Sequence, residues 1–395
     1  MILVVSHTPT ATTGYGRVVR RFAHVFHRAR NEILAMAAGY RGGPHELPYP
    51  LVPWDGISAE PILRCAEEVR AQILLTIGDP WMFEQVASKR ERSACKWIAY
   101  FPIDGYPLPE EWKSWVRAVD VPVVFSQFTR KLVAEATGTA PPLIYHGVDT
   151  KVFAPMDEEQ AKAKAHVSGH FVVGVVARNQ QRKNLPALVR AFSRFAADKP
   201  DAILYLHTQV IGDHNMLELV RRFGIEDKTR VTEGLGTDRG VPDAMLATVY
   251  NAMDVFVLPT MAEGFGLPII EAQACGTPVL ATDFSACSEL LPDPIQRLKV
   301  KETLIMRRNF EQAIVDIDDI VEKLNHLYTH RDELRDLGHR CRAFAQQFDW
   351  SIPCKQLVDL LDSVIARPNE SDLALPSLGA SSAPFSNARI DRSLG

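Results

Sequence analysis

The sequence predicts an α/β protein built from two Rossmann-like, doubly wound domains that face each other, and three observations carry that expectation. At 395 residues the chain exceeds the roughly 250–300 residues at which one hydrophobic core stops growing. Short apolar runs rich in β-branched residues alternate with amphipathic helical stretches, the pattern of a parallel sheet covered by helices. Several of these runs lead through a loop into a helix, and in doubly wound sheets ligands sit at the carboxyl ends of strands.

Composition narrows the class before any motif is read. The formal net charge is −4, which gives no overall nucleic-acid signature. Cys65, Cys95, Cys275, Cys287, Cys341 and Cys354 form no C-x-x-C pair, as expected for buried, reduced thiols rather than a disulfide framework or zinc site. No apolar run reaches the ~18 residues of a membrane-spanning helix, and the first residues lack a signal-peptide pattern. A cytoplasmic location is the expectation.

Taken in order, Met1–Val5 reads as a strand, Thr12-Thr-Gly-Tyr-Gly16 as its loop, and Arg17 to about Arg30 as a helix. Val18, Phe22, Val25, Phe26 and Ala29 form its apolar stripe, whereas Arg17, Arg20, Arg21, His24 and Arg28 form a basic face without an acid. That face is either a solvated flank or a contact for an anionic acceptor, such as a phospholipid headgroup at the inner membrane face or a nucleic acid backbone. Helix 62–70, strand 72–77, helix 81–88 and strand 96–101 follow.

Next, Pro102-Ile-Asp-Gly-Tyr-Pro107 holds Asp104 at the end of a strand, as a turn former or as a polar contact. Residues 121–126 read as a strand, 129–137 as a helix and Leu143–Tyr145 as the last strand of a first domain covering residues 1–155. His146 is either a structural cap or a substrate contact.

A second domain is expected over residues 165–345. Phe171–Val176 opens it as a buried strand, Ala177–Asn184 is its loop, and Leu185–Phe195 the following helix. Strands are expected at 202–207 and 230–232, and a strong helical region at 324–348. Asp316-Ile-Asp318 has the spacing of a metal-binding D-x-D, but it precedes a helical run where acids suit the positive end of the dipole. Residues 346–366 supply a last helix. Beyond Arg367, Pro, Ser, Ala and Asn without periodicity read as a disordered tail over 367–395.

The chemistry concentrates in Thr260–Thr282. A strand (Asp254–Pro259), a glycine loop, a short helix beginning near Pro268 and a strand from Thr277 fix two carboxylates, Glu263 and Glu271. A loop ending at a helix N-terminus presents unpaired N–H groups that favour phosphate. Carboxylates beside it repel phosphate but accept hydrogen bonds from vicinal sugar hydroxyls. Donors for phosphate next to acceptors for polyol suit a sugar nucleotide.

Glu263-Gly-Phe-Gly-Leu-Pro-Ile-Ile-Glu271, continued by Ala-x-Ala-Cys-Gly-Thr-Pro-Val, resembles the E-x7-E signature of the retaining GT-B glycosyltransferases of family 4 (glycosyl transferases group 1). The resemblance runs through residues 1–366 in element order, closely in the C-terminal half and more loosely in the N-terminal half. His146-Gly-Val-Asp149 with Phe153 and Pro155 resembles the family segment that ends the first domain.

The resemblance implies a metal-independent, cofactor-free transfer from a UDP-, GDP- or ADP-sugar with retention of anomeric configuration. Arg178 and Lys183 then grip the diphosphate, Glu271 the ribose, and Glu263 with Gly264, Phe265, Gly266 and Leu267 the sugar. Gly234 and Leu235 lie where the family packs the base. The loop Gly14–Gly16 faces the donor phosphates and the acceptor, with the family's adjacent glycines separated here by Tyr15. Tyr15, Arg17 and His146 fall on the acceptor side, and Asp104 stands where family members often carry a histidine. The last helix crosses back to the first domain. The acceptor is left open among glycan, lipid, small molecule, protein and modified DNA base. A nucleotide-sugar 2-epimerase of the same architecture and a catalytically silent sugar-nucleotide binder are the alternatives.

Overall fold

The computed structural model describes residues 1–29, 32–89, 95–232, 234–236 and 240–366. The end of the basic helix at Arg30 and the expected tail at 367–395 therefore lie outside the described residues. Two all-parallel six-stranded sheets organise the chain. The first comprises β1 (Ile2–His7), β2 (Ile33–Ala38), β3 (Leu51–Trp54), β4 (Ile73–Ile77), β5 (Lys96–Phe101) and β6 (Val121–Val124). The second comprises β7 (Phe171–Val176), β8 (Ala202–His207), β9 (Thr229–Val231), β10 (Val255–Leu258), β11 (Val279–Thr282) and β12 (Arg297–Leu298). An antiparallel pair, β13 (Val300–Ile305) and β14 (Glu311–Val315), follows.

Both sheets have the same winding. The orders β3-β2-β1-β4-β5-β6 and β12-β11-β10-β7-β8-β9 each reverse at one place, between β1 and β4 and between β10 and β7. At such a reversal the connections leave in opposite directions and open a crevice at the carboxyl ends of the strands. The central strands β1, β4, β7 and β10 are buried on both faces because helices cover them, whereas the edge strands β3 and β9 are partly exposed.

Several sequence expectations need correction. Leu143–Tyr145 is not a strand; a single bridge joins Val124 to Leu143. The helical region 324–348 is two helices, Ile317–Thr329 and Arg331–Ala345, broken at His330. The 81–88 helix is a 3-10 turn, Pro80–Met82, followed by a short helix, Glu84–Lys89. Asp316 caps the helix it precedes by accepting from the Asp318 N–H, and Asp318 pairs with Arg194 at 2.6 Å. Five cysteines are buried and Cys65 is half-buried, all as free thiols. No helix among the described residues is long and apolar enough to cross a membrane.

The domains are docked by several independent contacts. Glu289 accepts the Gln127 and Phe128 N–H groups at 2.8 and 2.7 Å and the Tyr145 hydroxyl at 2.9 Å. It thus caps an N-terminal-domain helix, Gln127–Thr137, from the opposite body. Tyr106 and Glu311 exchange backbone hydrogen bonds, which lays β14 along the loop after β5. The last helix, Ser351–Ala366, packs on the helix Gly14–Arg28, where the Trp350 ring meets Phe22 edge-on at 5.6 Å. The two chain segments that cross between the domains run side by side: Val148 N–H donates to Phe348 O at 2.8 Å and Trp350 N–H to Val148 O at 3.2 Å.

Candidate active site

The two crevices meet in one cavity of about 490 Å3. On the C-terminal side the loop after β7 ends in a 3-10 turn, Gln181–Lys183. Asp213 anchors that turn through the Gln181 N–H at 2.8 Å, and Asn184 takes a left-handed backbone before the helix Leu185–Phe195 starts. Lys183 is thereby held beneath the end of β10, where its Nζ donates to Glu263 Oε1 at 2.6 Å. Arg182 reaches the other carboxylate oxygen at 3.2 Å and Asp104 of the opposite domain at 3.5 Å. It also donates to the Ala262 carbonyl.

Burial alone would raise Glu263, but Lys183 and Arg182 outweigh it and hold the carboxyl down to about 2. Glu263 is a fixed anion. Burial lowers Lys183, and Glu263 offsets only part of that. Such a set costs much desolvation unless every charge is paired, which the arrangement achieves with two cations and two carboxylates, Arg182 being shared between Glu263 and Asp104.

The glycines flanking Phe265 serve different ends. Gly266 has φ of +108° at the start of the helix Leu267–Ala274, a backbone that side-chain-bearing residues avoid. Gly264 was expected to admit a ligand, yet it is where the domains touch: a Cβ there would lie 2.5 Å from Pro102 Cβ.

Glu271 is almost fully buried. It accepts the Tyr250 hydroxyl at 2.9 Å and Arg17 at 2.6 Å. Burial raises its carboxyl, and Arg17 and Tyr250 pull it back only in part. Arg17 also pairs with Asp243 at 3.3 Å. Arg17, expected on the acceptor side, lines the cavity and joins the two domains through Glu271 and Asp243. Arg21 likewise pairs with Asp149. The basic helix face lacks acids of its own, but acids from other segments take two of its arginines, which weakens the membrane or nucleic acid reading.

The N-terminal crevice has another character. Tyr15 donates to Asp79 Oδ1 at 3.1 Å across the β1/β4 reversal and stacks on His7 at 5.5 Å. Burial, then Asp104, raises Asp79 to about 6. His146 accepts or donates at 2.8 Å with the Tyr100 hydroxyl and stacks on Phe125 at 4.1 Å. Burial lowers it to about 3, which leaves a neutral ring packed in the wall.

Of the residues expected from sequence, Gly14, Tyr15, Arg17, Asp104, His146, Arg178, Lys183, Leu235, Glu263, Gly264, Phe265, Gly266, Leu267 and Glu271 all line the cavity. Two do not. Gly16 is packed against the carbonyls of Thr8 and Ala11, and its N–H donates to Thr13 Oγ1 as part of a helix cap. Gly234 lines an adjoining hollow with Ile211 and Thr232, which shares Gln209, Leu235 and Gly236 with the cavity. Sequence reasoning missed Arg182, Asp79, Trp81 and His7, all on the cavity wall. Arg182 adjoins the recognised Lys183. Asp79 follows a recognised strand by two residues, at a carboxyl end where a doubly wound sheet places ligand contacts.

Residues 170–329 match the family model described as glycosyl transferases group 1. The chain is 30% identical over 216 residues to the D-inositol 3-phosphate glycosyltransferase of Kribbella flavida, covering 52% of this chain and 47% of that protein. It thus spans about half the length of the curated relatives it matches. Among solved structures, sucrose-phosphate synthase from Thermosynechococcus elongatus superposes with a TM-score of 0.75 at 18% identity, over 92% of this chain and 99% of that one. Anabaena Alr3699/HepE in complex with UDP-glucose superposes with a TM-score of 0.70 at 16% identity, over 92% and 99%. The chain has the GT-B fold, and its residues 170–329 carry the group 1 glycosyltransferase match.

Proposed function

We propose that this protein is a metal-independent glycosyltransferase of family 4, which moves a sugar from a nucleotide-diphosphate sugar to an acceptor with retention of anomeric configuration. The observation that carries the reading is the paired cluster Arg182–Lys183–Glu263, which lines one interdomain cavity together with Glu271. As the bond from sugar to phosphate breaks, charge builds on the leaving diphosphate. Cations fixed in a site closed to water stabilise that charge far more than mobile ones do.

In this reading Lys183, Arg178 and Arg182 meet the diphosphate, and Glu263, always ionised, holds sugar hydroxyls. Glu271 takes the ribose and must exchange part of its bond to Arg17 for it. The likeness to a protein solved with UDP-glucose supports a nucleotide-diphosphate donor.

Thermal-shift titration with UDP-, GDP- and ADP-sugars tests the donor, since a bound ligand raises the melting temperature. Release of free sugar without acceptor is the expected side reaction. Appearance of a second nucleotide sugar would mean an epimerase, and binding without turnover a silent binder. Activity should survive EDTA, and the anomeric configuration of the product should match that of the donor by NMR.

A further inference from the structure

The N-terminal wall of the cavity carries two carboxylates, Asp79 and Asp104, with Tyr15, Trp81, Pro102 and His7 around them. Three cations at the cavity are already held by acids. Arg17 is held by Glu271 and Asp243, while Lys183 and Arg182 come from the opposite domain and converge on Glu263, with Arg182 shared between Glu263 and Asp104, which it reaches at 3.5 Å. Arg178 also belongs to that opposite domain. Trp81 lines the cavity yet leaves 48% of its surface exposed. It is the middle residue of a 3-10 turn whose other two members, Pro80 and Met82, are buried, so the backbone beneath it is anchored while the ring stands open. Asp79 takes the Tyr15 hydroxyl and stands two residues before Trp81 at the start of the same turn, which keeps the carboxylate and the ring on one wall.

A rigid, half-exposed indole next to hydroxyl-accepting carboxylates has the chemistry of a saccharide subsite. The ring covers the C–H face of a sugar, and the carboxylates accept its hydroxyls. The same wall disfavours a phosphate or carboxylate, because its two acids, Asp79 and Asp104, face one arginine, Arg182, whose charge is already divided between Asp104 and Glu263. We propose that Trp81, Asp79 and Asp104 form an acceptor subsite selective for an uncharged saccharide or cyclitol and against its phosphorylated counterpart. The inference rests on the proposed transferase activity.

The test uses the full chain with the donor found active and matched acceptor pairs: glucose and glucose 6-phosphate, myo-inositol and inositol 3-phosphate, maltose and maltose 1-phosphate. The expected kcat/KM favours the uncharged member by at least about tenfold. Trp81→Ala should raise the acceptor KM about tenfold with little change in kcat, and Trp81→Phe should recover most of the loss, which a merely structural role would not give. Asp79→Asn should narrow the preference between paired acceptors. Preference for the phosphorylated members, or an unchanged acceptor KM in Trp81→Ala, overturns the subsite while free-sugar release still supports the transferase. No sugar release and no transfer with any donor would remove both readings.

Discussion

The two crevices of this protein are built by the same winding and filled with opposite electrostatics. In the C-terminal domain the reversal between β7 and β10 brings two cations onto one carboxylate, Glu263, and holds it far below the ordinary range. In the N-terminal domain the reversal between β1 and β4 brings a tyrosine onto a carboxylate, Asp79, where burial and then the second acid Asp104 raise its proton affinity and Arg182 offsets only part of the rise. Winding therefore decides where a site lies, and the residues on two or three loops decide what it handles. In the proposed transferase the positive charge would meet the leaving anion, and the other wall would choose what receives the sugar.

The largest effects should come from removing the charged set on the C-terminal side. Lys183→Ala and Glu263→Ala should each slow transfer at least about a hundredfold, the equivalent of ~3 kcal/mol of lost transition-state contact. Steady-state rates, with circular dichroism to confirm folding, decide this; near-normal rates in both variants would make the two crevices functionally alike. Arg182→Ala should fall below these by about tenfold in effect, because Lys183 still holds Glu263. Equal losses in Arg182→Ala and Lys183→Ala would mean that the two cations act as one unit.

Gly264→Ala probes the contact between the halves. Its added methyl meets Pro102 and should cost about 1–3 kcal/mol as overpacking. Transfer should drop about tenfold and the radius of gyration in solution scattering should grow. Unchanged scattering and rate would show that the cleft already has room there.

A smaller effect, opposite in sign on the two sides, should appear with pH. Glu263 sits at about 2 against an ordinary 4.5. Its stabilising contribution is full above the ordinary value and is lost as pH falls towards 2. Asp79 sits at about 6 against 3.8. The folded state favours its protonated form, so stability is lost as pH rises from about 4 through 6. Denaturant midpoints of Asp79→Asn should therefore overtake the parent between pH 4 and pH 7, by at most about 3 kcal/mol. A parent and variant that run parallel across that window would remove the contrast between the crevices.

How much of this was readable in advance follows from sequence distance. Strands buried on both faces, such as 96–101, 171–176 and 202–207, are continuous apolar runs, and their ends agree with the structure. Ile33–Ala38 went unread because its alanines and methionine suit a helix as well as a strand. Leu51–Trp54 went unread because Pro53 breaks the pattern, a residue tolerated there because β3 lies at the sheet edge. Glu263 to Glu271 forms one contiguous motif and was legible. The pairs Tyr15–Asp79 and Arg182–Asp104 join positions 64 and 78 residues apart, and no local pattern announces them. The pairing of Arg17 is hidden for the same reason, since its acids come from residues 243 and 271.

The parallel crossing of the chain at Val148 and Trp350 limits how the molecule can open. Two cords lying together resist shear and sliding, and they leave one easy motion, a swing about their common line. A swing that opened the cavity would part the Glu289 cap, the Arg17 clamp and the Tyr106–Glu311 ladder together as a single latch, since each joins residues of the two domains.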